Sequence, residues 1–398
     1  MKPGSWPAIL GVYLFAVAAG ATVPKLIPLS GDFARVFAMG PAGFGWLVSL
    51  IAIPAALLAI PSGVMVDRFG PRAVLIGAAC VAAFANLVYS LAGSVPMLQL
   101  ARLIEGGAIV HIYTAGPAML MGMTEGRRRT TAMSVWSTYM PVGTAIALAV
   151  AGAVAGGPAW RSLFYAHGAL FLIAAAVGLV LPKTDRSGAP RRTLGTQLLE
   201  LRIAYGRPTL LLLAFAFFLN ISIGLGANLA FPQYFARVLG LSMSQSSSMV
   251  AATTLIMVPG SLLAGLALSR GMRPVVFFGV IAMVGLVVGT LCFVPVLALP
   301  SRYAALAAWF LASGAAVATL MATLPLVAEP ERRGAAAALL NQAAALATFV
   351  NPPIWLGFAT HDDWTPFAGL LAVGWSFGTI SLWLAVRLTT RGAALRTA

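Results

Sequence analysis

Twelve long apolar runs, separated by short polar connections, constrain this 398-residue chain more than any other feature. They lie near 7–29, 44–66, 73–93, 96–122, 131–155 and 162–182, then 208–236, 246–268, 274–297, 303–327, 335–358 and 366–388. An α-helix rises 1.5 Å per residue, so about 20 apolar residues cross the roughly 30 Å of bilayer hydrocarbon. Each run is long enough. In lipid every backbone N–H and C=O must be satisfied within the protein, which for runs of this length means helices. Composition agrees: 60% of residues are hydrophobic and 9% charged, against roughly 25% charged in an average soluble domain. So few charges cannot coat a soluble surface of this size. The expected fold is all-α and membrane-embedded.

The formal net charge is +15, yet the basic residues form no single face that nucleic acid would need. They fall in short clusters between the runs. With both termini on one side, 19 of the 25 Lys and Arg residues share that side, among them Arg68, Arg72, Arg127, Arg128, Arg129, Arg191, Arg192, Arg270, Arg273, Arg332 and Arg333. Four, Arg35, Arg161, Arg237 and Arg302, fall opposite, and Lys25 and Arg102 lie within runs. The excess of positive charge marks the cytoplasmic side. Both termini are expected in the cytoplasm, in a cell inner membrane, with lipid rather than nucleic acid as the partner. Residues 1–25 mimic a signal peptide, with a lysine, an apolar stretch and small residues. They also form the first of the twelve runs, and that reading is preferred. Cys80 and Cys292 both lie in apolar runs and give neither a disulfide framework nor a metal spacing.

The segment 183–207 is polar and Arg-rich and divides the runs six and six. Three regions are expected: a bundle over 1–182, a cytoplasmic linker over 183–207 and a second bundle over 208–398. A short amphipathic surface helix is expected from Leu194 to Ile203. The two halves echo one another. Glu125-Gly-Arg-Arg128-Arg129-Thr-Thr-Ala132 aligns with Glu329-Pro-Glu-Arg332-Arg333-Gly-Ala-Ala336 at an offset of 204. Gly63-x-x-x-Asp67-Arg68 aligns with Gly265-x-x-x-Ser269-Arg270 at an offset of 202. Two matched loops at nearly one offset indicate a duplicated six-helix unit.

The stretch Gly63-Val-Met-Val-Asp67-Arg68-Phe-Gly70-Pro-Arg72 resembles the G-x-x-x-D-R-x-G-R-R loop between helices 2 and 3 of the major facilitator superfamily. That resemblance implies twelve transmembrane helices in two pseudo-symmetric six-helix bundles, and a secondary transporter acting as a monomer. It also implies a cytoplasmic gate at this loop, with Asp67 pairing a basic residue of a neighbouring helix and Arg68 and Arg72 adjoining. Gly63 permits close helix approach there. Arg102-Leu-Ile-Glu105-Gly106-Gly107 is similar to the family's R-x-x-Q-G-x-G pattern in helix 4, with Glu105 in place of Gln. The G-x-x-x-G-P-x-x-G-G pattern of drug/proton antiporters is damaged here. In Trp136-Ser-Thr-Tyr139-Met140-Pro141-Val-Gly143-Thr144 only the proline stands in place.

Ionisable groups inside a bilayer cost at least about 2.5–3.5 kcal/mol each on insertion scales, so each is a functional candidate. Arg102 and Glu105 are three residues apart and face one side of a helix. His111 falls near the middle of the same run and can exchange protons near neutral pH. Lys25 follows Pro24 late in the first run, where it either snorkels to the outer interface or faces a cavity. His167 is read as a packing residue. Amides gather in two runs of the second half: Asn220, Asn228 and Gln233, then Asn341, Gln342 and Asn351. Pro352-Pro353 directly follows Asn351 and frees backbone carbonyls that need partners or a cavity. Tyr139 and Trp136 offer an aromatic wall.

The sequence contains no phosphate-cradling Gly-rich loop ending in Lys-Ser/Thr, no nucleophile–base constellation and no metal cluster. The chain is therefore expected to be no enzyme, to need no cofactor and to run on an ion gradient. The basic residues Lys25 and Arg102 favour a small anionic or polar organic solute, with protons coupled through Glu105 or His111. Export of a small natural product, siderophore or drug is the alternative.

Overall fold

The computed structural model describes residues 1–183, 194–293, 297–328, 333–358 and 365–397. The described residues form α-helices and one 3₁₀ helix, without strands. In chain order the first half has α1 (Trp6–Gly20), the 3₁₀ helix Pro24–Leu29, α2 (Ser30–Phe37), α3 (Pro41–Ser49), α4 (Ala52–Phe69) and α5 (Pro71–Leu91), followed by α6 (Val95–Met123), α7 (Gly126–Ser137), α8 (Tyr139–Val154) and α9 (Ser162–Val180). Then come α10 (Leu194–Tyr205), α11 (Pro208–Val238), α12 (Met243–Thr254), α13 (Met257–Ser269), α14 (Pro274–Leu291), α15 (Leu299–Val327), α16 (Arg333–Phe358) and α17 (Thr365–Thr397). The expected surface helix from Leu194 is α10, and the rest of the Arg-rich linker, residues 184–193 with Arg191 and Arg192, lies outside the described residues. So does the loop 329–332 of the second charge repeat.

Eleven stretches of these helices are long and apolar enough to cross a membrane. The twelfth expected span, 335–358, is α16. At 26 residues it is long enough, but Asn341, Gln342, Asn351, Pro352 and Pro353 dilute its hydropathy. Large side chains such as Leu57, Leu262 and Met283 are two-thirds exposed or nearly so, as expected where lipid is the solvent.

Four expected spans are broken rather than continuous, and proline sets each break. A proline lacks the N–H that would bond the carbonyl four residues earlier, and its ring clashes there. The helices end at Gly20, four before Pro24; at Ser49, five before Pro54; at Ser137, four before Pro141; and at Thr254, five before Pro259.

The loop between α4 and α5 turns at Gly70, with φ +84, and the matched loop between α13 and α14 turns at Gly271, with φ +87. Left-handed backbone of this kind favours glycine. Pro71 and Pro274 then open the next helices, where a missing N–H costs nothing. Both loops of the sequence repeat therefore use a positive-φ glycine and a helix-opening proline, adjacent in the first and separated by two residues in the second.

By their internal contacts the residues fall into two units, Met1–Leu194 with Phe235–Ala251, and Gly195–Tyr234 with Ala252–Ala398. In the first, α6 packs on α4 and α5, and α5 on α9. A Cβ on Gly106 of α6 would lie 2.5 Å from the Ile51 carbonyl oxygen, so α6 rides directly on the α3–α4 break. In the second unit Gly314 of α15 presses on the Met257 backbone beside the α12–α13 break. The duplicated scaffold repeats its broken second span and the glycine that packs on it.

Candidate functional site

The first unit holds a sealed cluster of charged and polar groups. Lys25 lies on the 3₁₀ helix that Pro24 starts, and the turn swings its side chain inward. It is 1% exposed, so it reaches neither the outer interface nor lipid, and snorkelling is not what it does here. Its Nζ donates to Glu105 Oε1 at 2.5 Å, to Asn86 Oδ1 at 2.6 Å and to His167 Nδ1 at 3.0 Å. An ammonium has three N–H donors, and all three are used. The rings of Tyr89 and Phe164 lie 5.0 and 5.3 Å from Nζ, close enough to add cation–π attraction.

Arg102 and Glu105 pair along α6 as the spacing predicted, with Nη1 donating to Oε2 at 3.1 Å. Arg102 does a second job that no motif announced. Its Nη1 also donates to the Thr22 carbonyl at 2.9 Å, and its Nε and Nη2 donate to the Val48 carbonyl at 3.3 and 3.0 Å. Both carbonyls flank helix breaks, where the regular i+4 donor is lost. One guanidinium thus satisfies the backbone of two broken spans, and both Arg102 and Glu105 are 0% exposed.

Asn86 and His167 complete the cluster, and neither was among the expected site residues. Asn86 Nδ2 donates to Ala82 O at 2.8 Å and to Glu105 Oε1 at 3.2 Å. His167 Nε2 donates to Ala18 O at 2.9 Å. That carbonyl fixes the tautomer, because Nε2 must carry hydrogen and Nδ1 is left to face Lys25. The reading of His167 as packing therefore misses its partner. With a neutral imidazole the cluster carries two positive charges and one negative.

His111, the expected proton carrier, stands apart. Its Nδ1 donates to Gly107 O at 2.6 Å, and Nε2 lies 3.1 Å from Met65 Sδ. Tyr139 is half-buried, its ring 5.2 Å from Tyr113 and 5.3 Å from Trp136. Tyr113 lies two turns along α6 from Glu105, on the same face. Tyr13 Oη and Thr138 Oγ1 share a hydrogen bond of 2.7 Å at the same wall.

In the second unit the amides do not form one site. Asn220 is buried, and among the described residues neither its Oδ1 nor its Nδ2 has a hydrogen-bond partner. Asn228 donates to Gly224 O at 3.2 Å and accepts from Thr254 Oγ1 at 3.2 Å. Gln233 is half-buried, and Asn341 is exposed. Gln342 Oε1 accepts from Tyr205 Oη at 2.7 Å, which ties α16 to α10. Asn351 donates to Ser222 Oγ at 2.8 Å and accepts from Trp355 Nε1 at 3.1 Å. Arg302, expected in an outer connection, is 3% exposed on the first turn of α15 and donates to Tyr234 Oη at 2.6 Å.

The family description Major Facilitator Superfamily matches residues 6–352. The chain belongs to that superfamily. Solved structures agree on the fold of this facilitator: a bacterial homologue of the human lysosomal transporter Spinster matches with a TM-score of 0.76 and 16% identity over 98% of both chains. The D-xylose–proton symporter matches with a TM-score of 0.71 and 16% identity over 96% of both. By sequence the facilitator is 30% identical to the 3-(3-hydroxy-phenyl)propionate transporter of Escherichia coli over 40% of each chain. It is 26% identical to Multidrug resistance protein 2 of Bacillus subtilis over 44% of each. These matches span less than half the length of either relative.

The facilitator's expected gate loop behaves differently from its implied pairing. Asp67 is exposed and, among the described residues, makes no ion pair. Arg68 stacks its guanidinium 5.3 Å from the Phe69 ring. Arg72 donates to the carbonyls of Gly178 and Leu179, capping the end of α9, where cations suit the helix dipole. Gly63 is half-buried in α4.

Proposed function

We propose that this facilitator is a secondary active transporter, not an enzyme, that moves a small anionic or polar organic solute across the inner membrane by alternating access. Protons supply the drive, and Glu105 is the group through which they couple. The cluster of Lys25, Arg102 and Glu105 carries this reading, because ionisable side chains deep in a membrane bundle mark substrate or proton paths. The excess positive charge suits an anion, and the half-buried rings of Tyr113 and Tyr139, backed by the buried Trp136, suit an aromatic body. The partial match to an aromatic-acid transporter supports the same class. His111, Asn220, Asn228, Gln233, Asn341 and Gln342 remain candidate contacts, Asn220 foremost, since its amide is unspent.

The termini are placed in the cytoplasm by the positive-inside count, and Gly63, Asp67, Arg68 and Arg72 form the cytoplasmic gate. The protein works as a monomer in lipid, without cofactor or nucleic acid. Export is the second reading, favoured by the partial matches to multidrug resistance proteins and by Pro141. Uptake of labelled aromatic and aliphatic carboxylates into proteoliposomes under an imposed pH gradient tests both. Uptake that an uncoupler collapses and that Glu105→Gln abolishes supports the first reading. Unchanged gradient dependence in Glu105→Gln removes Glu105 from the coupling path, and accumulation only in the outward sense establishes export.

A further inference from the structure

We infer that Lys25 and His167 form a single shared-proton site, governed by the charge on Glu105, and that His167 rather than His111 is the histidine of the proton path. This deepens the proton-coupled reading and rests on it for its role in transport. The shared proton itself stands on geometry alone.

Consider where hydrogens fit. The Ala18 carbonyl, 2.9 Å from His167 Nε2, accepts and cannot donate, so Nε2 carries a hydrogen in every state. Nδ1, 3.0 Å from Lys25 Nζ, then has two options. Either a neutral imidazole accepts from the ammonium, or an imidazolium donates to the lone pair of a neutral amine. In the first state Lys25 gives its three hydrogens to Glu105, Asn86 and His167. In the second it gives two, to Glu105 and Asn86, and accepts the third bond. Moving the proton breaks one N–H bond at Nζ and makes one at Nδ1 with the imidazole lone pair. No other bond changes and no hydrogen-bonding group is orphaned. The usual penalty for relocating a buried charge, an unsatisfied donor or acceptor, is therefore absent.

Which state prevails depends on the groups facing the pair. From α6, the Glu105 carboxylate lies 2.5 Å from Nζ and holds the positive charge on Lys25. Arg102 faces the other carboxylate oxygen at 3.1 Å. From α5 come the Asn86 carbonyl oxygen and the Tyr89 ring, and from α9 the Phe164 ring. Phe171 packs on the imidazole at 4.7 Å between centroids. Glu105 is the only negative charge among them. When Glu105 takes up a proton, only the Asn86 oxygen and the two rings still favour the charge at Nζ, and the repulsion of Arg102 is no longer offset. The proton then shifts across the 3.0 Å hydrogen bond to His167. Entry of a proton at the carboxylate is thus passed from α6, through Lys25 on the 3₁₀ helix, to α9 with no water required inside the bundle.

Solid-state NMR of the full-length protein in bilayers, labelled with ¹⁵N in histidine and ¹³C in glutamate carboxyls, reads this directly. The His167 signals are assigned by their loss in His167→Asn. In the wild type near neutral pH, Nδ1 should resonate as a bare acceptor and Nε2 as an N–H. In Glu105→Gln, Nδ1 should move to the N–H range while Nε2 stays. If that variant fails to fold, acid titration of the wild type serves: the Nδ1 shift should track the Glu105 carboxyl shift in one coupled step. An Nδ1 that stays bare through both experiments, titrates apart from Glu105, or carries hydrogen from the start overturns the inference. A coupled shift together with uptake that ignores the pH gradient leaves the shared proton standing and defeats the transport reading instead.

Discussion

Arg102 donates twice to the backbone carbonyl of Val48, at 3.0 and 3.3 Å, just before the proline-set break in the second span. The same guanidinium reaches Thr22 O at the break in the first span. An intramembrane arginine with this job is a staple for irregular backbone as much as a charge. Irregular backbone at membrane depth survives only where protein or water satisfies it.

Arg102→Lys should therefore be far from conservative. Lysine keeps the charge but lacks the planar fork that meets Glu105, Thr22 and Val48 together. The expected loss for either Arg102→Lys or Arg102→Met is about 3–5 kcal/mol, the usual penalty for breaking a buried pair. A lowered melting temperature in detergent checks this, and an Arg102→Lys protein as stable as wild type refutes the staple.

Glu105→Leu should destabilise more than Lys25→Met. The first leaves Arg102 and Lys25 as two uncompensated buried cations, whereas the second still leaves an Arg102–Glu105 pair. In the double variant the combined loss should fall short of the sum by roughly 1–3 kcal/mol, as expected for residues in contact. A double-mutant cycle on unfolding free energy measures that difference, and strict additivity contradicts the pairing.

Gly106→Ala should perturb the α3–α4 break, since the added methyl would meet the Ile51 carbonyl at 2.5 Å. The loss expected is about 1–3 kcal/mol. Gly77→Ala on α5 is the control, with nothing within 4 Å of the new methyl, and it should be neutral or slightly stabilising. Equal melting temperatures for the two variants would contradict the close approach.

Asn220→Leu separates stability from function. A buried amide without partners costs about 1–3 kcal/mol, so its removal should leave the fold as stable or more so. If Asn220 touches substrate, the same variant should bind the transported solute at least about tenfold more weakly. Isothermal titration and a thermal scan on one preparation read both quantities.

Much of this molecule was legible beforehand, for reasons that differ by residue. Runs of some 20 apolar residues have few alternatives to helices, and the matched loops around Arg68 and Arg270 announced the duplication that Gly70 and Gly271 now express in backbone. The Arg102–Glu105 pair followed from spacing along one helix. What spacing cannot convey is contact between helices. Lys25 reads as an interfacial lysine until the Pro24 turn is seen to carry it inward. Asn86 offered one signal, a lone amide in the apolar run AAFANLV, and His167 offered little more. His111 attracted notice by its central position, yet its partners are a carbonyl of its own helix and a thioether. Pro24, Pro54, Pro141 and Pro259 were visible, but that the helix stops four or five residues before each of these was not drawn from them.

The repeated glycines carry a last consequence. Gly106 and Gly314 each press on a broken second span, and four and one residues before them stand Arg102 and Glu105 in the first half, Phe310 and Ser313 in the second. One half has a salt-bridged interior where the other has an aromatic ring and a hydroxyl at the matching distance from its packing glycine. The two halves thus share the close approach of a helix to a broken neighbour, and differ in the electrical character of what lies beside it.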